Sequence, residues 1–385
     1  MLSSAFCPLA FALGVSAKTL TDVLYTQNDT LSILNSYLAS QQALFDTLIN
    51  TSNITILAPS NNALSALLGS SSFDDEIAAD SGVLTALLNY HIFNGTYYTS
   101  NFTNADRPVF VRTLLSNATY TNVTGGQRVE GSTDENGNVK FTSGSGTESK
   151  VQTSNFNYTG GTVHVIDKAL SVPSNLTTTL TAANLTAAVG AIDQAGVGNT
   201  LNQENEVTIL APSNAGFEAI GNLIAKMTAE DLSTVLSYHV IKGKVLYSGS
   251  ITNGSEMTSQ GTNVHFKVEG GDIFVNSAKV IQTNLLCNNG VVHIIDNVLN
   301  PENTTGKPNP TASTQAPAFS GASTTGGVPF TSGVIGPKPT AASAVGATAT
   351  VTVPAAPATA LAAPMRTGAV RVVALFGGAA VLANW

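Results

Sequence analysis

Charge is scarce in this chain. Of its 385 residues only 10% are Asp, Glu, Lys or Arg, against roughly a quarter in an ordinary soluble domain. The formal net charge is -8, and no Lys/Arg cluster exists to neutralise phosphates, which excludes a nucleic-acid partner. Cysteine is almost absent. Cys7 and Cys287 are the two present, and Cys7 falls in a segment expected to be removed, so a disulfide framework is excluded. Cys287, beside Leu285 and Leu286, reads as a buried structural thiol. Also missing are the Gly-x-Ser-x-Gly elbow, the His-Glu-x-x-His helix, the Cys-x-x-Cys pair and the phosphate-cradling Gly-Lys-Thr/Ser loop. The reading is therefore a protein that is not an enzyme and needs no cofactor. Asp134 to Asn138 invites a calcium loop, but Gly stands fourth and no Glu closes the twelfth place, so a hairpin turn is expected.

What the chain does contain, it contains twice. Ile54-Thr55-Ile56-Leu57-Ala58-Pro59-Ser60-Asn61 returns as Val207-Thr208-Ile209-Leu210-Ala211-Pro212-Ser213-Asn214. Tyr90-His91 returns as Tyr238-His239, and Gly161 to Asp167 returns as Gly290 to Asp296. Landmarks repeated in order at a domain's separation mean two copies of one domain, not a short-period solenoid. Sugar is the expected source of surface solvation in so uncharged a chain. Asn-x-Ser/Thr sites stand at Asn28, Asn50, Asn53, Asn94, Asn101, Asn117, Asn122, Asn157, Asn175, Asn184, Asn253 and Asn303, which points to the secretory pathway.

Both ends read as processing signals. Leu2 to Val15 is mostly apolar and Val15-Ser16-Ala17 fits a signal-peptidase site, so residues 1–17 are expected to be a signal peptide. Val372 to Trp385 is an uncharged apolar run; as a helix it rises about 21 Å, too little for a hydrocarbon core of roughly 30 Å. A short apolar tail behind small residues fits a glycosylphosphatidylinositol (GPI) signal over 358–385, with Ala358 as the expected attachment residue. Residues 302–357, rich in Ser, Thr, Pro and Ala, lack aliphatic periodicity and read as a disordered, glycosylated stalk.

Within the repeat (18–173 and 174–301), an amphipathic helix comes first, with Leu176, Leu180, Leu185, Val189 and Ile192 near a helical period and Leu31 to Leu48 matching less cleanly. A strand follows and ends at Pro59 or Pro212, after which Ser213 or Asn214 caps a helix running on to Met227. Thr228-Ala229-Glu230-Asp231 resembles a capping box opening a helix whose apolar face includes His239, as His91 does in the first copy. These spacings turn both histidines inward, as packed, backbone-bonded residues. Each unit ends in an apolar strand, Val163–Ile166 or Val291–Ile295, expected to be central because both of its faces must be covered. Asp167 and Asp296 then either cap the following turn or act as contact residues.

The Thr-x-x-Ala-Pro-Ser block, the Tyr-His pair and Asn289-Gly290-Val291-Val292-His293-Ile294-Ile295-Asp296-Asn297-Val298-Leu299-Asn300-Pro301 resemble the fasciclin domain. The resemblance covers about Lys18 to Pro301. It implies an α+β fold, a wedge or sandwich of β-strands with helices packed over it, and adhesion at a cell surface or in a matrix. It also implies an interaction region at Tyr90, His91, Tyr238 and His239, with the inward histidines shaping that region. A tandem pair gains avidity without new chemistry. The expected partners are wall or matrix polysaccharide, glycoprotein or another fasciclin domain, with membrane attachment through a lipid anchor. Plasma membrane, cell wall and vacuole remain alternative addresses. The competing reading is a binder of a small apolar ligand or lipid, using a groove to which Phe93, Tyr97 or Tyr247 contributes.

Overall fold

The computed structural model describes residues 18–70, 75, 80, 82–104, 107–332 and 334. The expected signal peptide, Ala358 and the C-terminal signal lie outside them. The first copy runs α1 Leu20–Thr26, α2 Asn28–Ser40, α3 Gln42–Asn50, β1 Ile54–Pro59, α4 Asn61–Leu68, α5 Val83–Tyr90, β2 Ile92–Asn94, β3 Val109–Arg112, β4 Arg128–Thr133, β5 Val139–Thr142, β6 Glu148–Tyr158 and β7 Gly161–Ile166. The second runs α6 Leu176–Ala182, α7 Thr186–Ala195, α8 Gly198–Gln203, β8 Val207–Pro212, α9 Asn214–Glu218, α10 Gly221–Ile224, α11 Ala229–Tyr238, β9 Val240–Ile241, β10 Gly254–Met257, β11 Asn263–Glu269, β12 Asp272–Val275, β13 Ala278–Cys287 and β14 Gly290–Ile295.

Each copy builds a seven-stranded sheet, β2-β1-β7-β6-β5-β4-β3 and β10-β11-β12-β13-β14-β8-β9. The apolar closing strands are central as expected: β7 lies parallel to β1 and antiparallel to β6, and β14 holds the same place between β8 and β13. Their first residues must be glycine, because a Cβ on Gly161 would fall 1.8 Å from the Ile54 carbonyl oxygen and one on Gly290 1.9 Å from that of Val207. The sheets curl further than a wedge. Phe93 bridges to Thr113 across the outer strands, and Leu114 N donates to Ile92 O at 2.8 Å. In the second copy Ser259 N reaches Val240 O at 2.7 Å. Each sheet is thus a near-barrel with helices over one face.

Alternation along the buried strands feeds two core layers. Ile56 and Ile209 pack under the helices, while Leu57 and Leu210 point into the barrels. The Thr228 capping box forms: its hydroxyl accepts from Asp231 N, and the Asp231 carboxylate accepts from Thr228 N at 2.9 Å. The long helices expected from periodicity are broken. Asn184, at φ +58, separates α6 from α7, and the run from Asn214 to Met227 divides into α9 and α10. Hydrophobic period continues through these breaks because it records which face is buried, and a short left-handed corner leaves that face unchanged.

Residues 302–332 and Val334, read as part of a stalk, instead lie across the second copy. Phe319, Ala322, Val328, Phe330 and Val334 pack against its helical core, and the Phe330 ring meets Phe217 edge-on at 6.3 Å. Host side-chain amides receive the strap's backbone: Asn297 Nδ2 donates to Gln315 O at 2.8 Å, Asn300 Nδ2 to Ala318 O at 3.3 Å and Asn222 Nδ2 to Gly321 O at 3.0 Å, while the strap's own Asn303 Nδ2 also reaches Ala318 O at 3.1 Å. Isolated anchors and borrowed hydrogen bonds offset the ordering entropy that a segment without periodicity cannot offset alone. The remainder, 335–357, lies outside the described residues.

Candidate functional site: buried histidine bridges and the face between the copies

The repeated polar residues form one hydrogen-bond scheme used twice. His91 Nδ1 donates to Leu87 O at 2.8 Å, at the end of α5, while its Nε2 accepts from Leu170 N at 2.8 Å. His239 does the same between Val235 O at 2.7 Å and Leu299 N at 2.8 Å. Each ring ties a helix end to the chain leaving the central strand. On the central strands, His164 Nε2 donates to Tyr97 O at 2.8 Å and its Nδ1 accepts from Asn155 N at 3.1 Å. His293 repeats this with Leu246 O at 2.7 Å and Asn284 N at 3.4 Å.

One ring nitrogen facing a carbonyl and the other facing an amide N–H leaves only the neutral imidazole satisfied. Burial lowers His91, His239 and His293 to about 4 against the contrary pull of those carbonyls. His164 is lowered for the same reason.

The same economy governs the Thr and Asn of the first landmark. Thr55 Oγ1 donates to Gly95 O and accepts from Tyr97 N, both at 2.8 Å; Thr208 repeats this with Lys244 O and Leu246 N. Asn61 clamps Ile33 N and Asp29 O, and Asn214 clamps Ala187 N and Asn184 O. Ser60 and Ser213 cap α4 and α9.

The residues expected to form an interaction region are therefore interior. Tyr90 and Tyr238 have no exposed surface, and His91 and His239 are 4% and 2% exposed. Tyr90 donates its hydroxyl hydrogen to Arg128 O at 2.9 Å, and Tyr238 to Asn263 O at 3.0 Å. Asp167 and Asp296 are half-buried and accept from Lys150 N and Lys279 N at 2.7 and 2.8 Å, fastening the start of β6 and of β13. Of the aromatics suggested for an apolar groove, Phe93 is fully buried against Phe141, Tyr97 is half-buried against the same core, and Tyr247, 7% exposed beneath Phe110, lines a cleft between the copies. The Asp134 segment is a hairpin turn between β4 and β5, its carboxylate accepting from Asn136 N and Asn138 N at 3.0 and 2.9 Å. Cys287 is buried, which pushes its thiol up to about 12.

Every glycan acceptor asparagine is exposed except Asn122, which is half-buried. Asn122 marks the junction of the copies. Its N–H and the Thr121 hydroxyl both donate to Asn288 O, at 2.8 and 3.1 Å, and the buried Gln127 Nε2 donates to Cys287 O at 3.0 Å. Beside them the Phe110 ring of the first copy stacks on Tyr247 of the second at 4.2 Å, and Arg128 lies 5.4 Å over the same Tyr247 ring. Sequence reasoning missed this face, together with Asn155 and Asn284. Those two asparagines did carry a signal, because each stands nine residues before the closing-motif histidine of its copy.

With this duplicated architecture in place, the comparisons agree on its class. The fasciclin domain model matches residues 29–173 and 183–301; the chain belongs to the fasciclin-domain family. Its class is that of the adhesion-type proteins of cell surfaces, and no catalytic family is indicated. A fasciclin-like arabinogalactan protein of Arthroderma benhamiae is 36% identical over 80% of this chain and 73% of its own length. A second such protein, from Phaeosphaeria nodorum, is 31% identical over 74% of this chain and 89% of its own. Among solved structures, a FAS1 domain pair from the insect cell adhesion molecule Fasciclin I overlaps with a TM-score of 0.36 and 19% identity, covering 72% of this chain and 99% of that one.

Proposed function

We propose that the protein is a cell-surface adhesion module that presents two fasciclin domains to cell-wall or matrix polysaccharide or glycoprotein, held at the surface by a GPI anchor at Ala358 and clothed in N-linked sugar. The observation that carries this reading is the pairing of two complete fasciclin domains through a direct interface, with acceptor asparagines exposed over both. Two domains on one chain act on an extended partner with an effective concentration that a single domain lacks. The relatives named as fasciclin-like arabinogalactan proteins are the comparison that favours a glycoprotein setting.

The test is release by a phosphatidylinositol-specific phospholipase from intact cells. Loss of the protein from the surface together with loss of cell attachment is the expected result. Attachment that persists after complete release removes this function.

A further inference from the structure

Arginine occurs at only three described positions, Arg107, Arg112 and Arg128, and all three line one open cleft of ≈ 480 Å³ at the junction of the copies. Arg112 and Arg128 stand directly opposite each other in the β3–β4 register. A cross-strand pair of like charge is destabilising, and guanidinium groups do not discharge to relieve it.

Six of the ten described lysines manage their charge differently. Lys140, Lys150, Lys242, Lys244, Lys267 and Lys279 each hold a carboxylate, whereas among the described residues no carboxylate pairs with an arginine. Two of the guanidinium groups are nonetheless held in place. Arg128 Nη1 donates to Phe110 O at 3.1 Å, and the Arg112 head lies so close over Gly125 that a Cβ there would stand 3.0 Å from Nη1.

Among the described residues one carboxylate shares the lining, that of Glu206, and Glu130 on the same strand face is turned to Asn284. Among the described lining residues, three guanidinium groups stand against one carboxylate, a positive site on a chain of net charge -8. Pro108 and Phe110 add apolar surface to the same wall. A sugar ring has an apolar face and a polar edge. A row of separate, pre-set guanidinium groups suits charges repeated along a chain, each accepting fork-like donors.

We infer that this cleft binds an acidic glycan, with uronate carboxylates or sulfate esters on Arg107, Arg112 and Arg128 and sugar rings against Pro108 and Phe110. The inference deepens the adhesion reading, on which it rests for the source of the ligand, by naming the partner's chemistry.

The full chain from a secreting host is titrated calorimetrically with oligogalacturonate, a sulfated oligoglucan, a neutral β-glucan oligosaccharide and inorganic phosphate, at low and high salt. Binding of either acidic glycan, weakened by salt, with none for the neutral one, is expected; which acid binds fixes the charged group. Replacing the exposed pair, R107Q with R112Q, should weaken binding by about tenfold or more without lowering the unfolding midpoint, and E206Q should tighten it. Equal affinity for neutral glucan, phosphate binding as tight as the glycan's, unchanged affinity in the double variant, or no binding at all would overturn it. Attachment of cells bearing the double variant separates the two ideas: failed titration with intact adhesion sinks only this site, whereas glycan binding without adhesion sinks only the function.

Discussion

The two copies differ in what covers their helices, and agree in almost everything beneath. The first roofs its sheet with α1 to α3, leaving an apolar opening of ≈ 340 Å³ beside Tyr25 and Phe45. The second borrows the strap, which lays Phe319 and Phe330 on the helical core. Below those roofs the histidine bridges, the Thr and Asn clamps and the Ser caps are the same, atom for atom. Apolar cover is interchangeable because dispersion and burial are non-directional. A side chain that serves a buried carbonyl and a buried N–H at once is not, because its loss leaves both unpaired.

The comparison is broken most severely by acid. The three histidines lowered to about 4 hold fewer protons folded than unfolded between that pH and their ordinary 6.5. Their stabilisation is therefore fully present above pH 6.5 and lost as pH falls towards 4, on the order of 3 kcal/mol for each ring. The urea midpoint should fall steeply from pH 7 to pH 4.5, and a flat profile would show that the folded rings take up protons as readily as the unfolded ones.

Replacing His239 by Ala removes two backbone partners and opens a cavity, at a cost of roughly 2–4 kcal/mol. His91→Ala should cost about the same. A large inequality in chemical denaturation would end the equivalence of the copies.

Gly190 sharpens the contrast between the roofs. A Cβ there would fall 1.9 Å from Phe330 O, so Gly190→Ala should free the strap and admit protease within 315–334, although Ala favours the helix itself by about 1 kcal/mol. Ser36, three residues beyond the clamped Ile33 as Gly190 is three beyond the clamped Ala187, faces no strap. Ser36→Ala should leave the proteolysis pattern unchanged.

The smallest effect belongs to the tyrosines. Tyr238→Phe loses bonds to both Asn263 O and Asn276 Nδ2, whereas Tyr90→Phe loses one. Costs of about 2 and about 1 kcal/mol are expected from thermal unfolding.

Much of this was legible beforehand. Duplication, the central strands, the capping box at Thr228 and the inward turn of His91 and His239 all follow from period and spacing. What stayed hidden depends on contacts between distant segments. Asn184 breaks a helix because Asn214 holds its carbonyl, and residues 315–323 are held by asparagines of the host rather than by any pattern of their own. The arginine cleft joins residues unremarkable in sequence until β3 and β4 pair and the second copy closes over them.

Binding of the full chain to isolated wall or matrix fractions tests most directly whether the Tyr-His landmarks are scaffold rather than contact surface. Alongside wild type, the measurement takes the Tyr90→Phe/Tyr238→Phe double variant. This account predicts unchanged wall binding with a lowered unfolding midpoint; binding abolished in a variant of undiminished stability would contradict it.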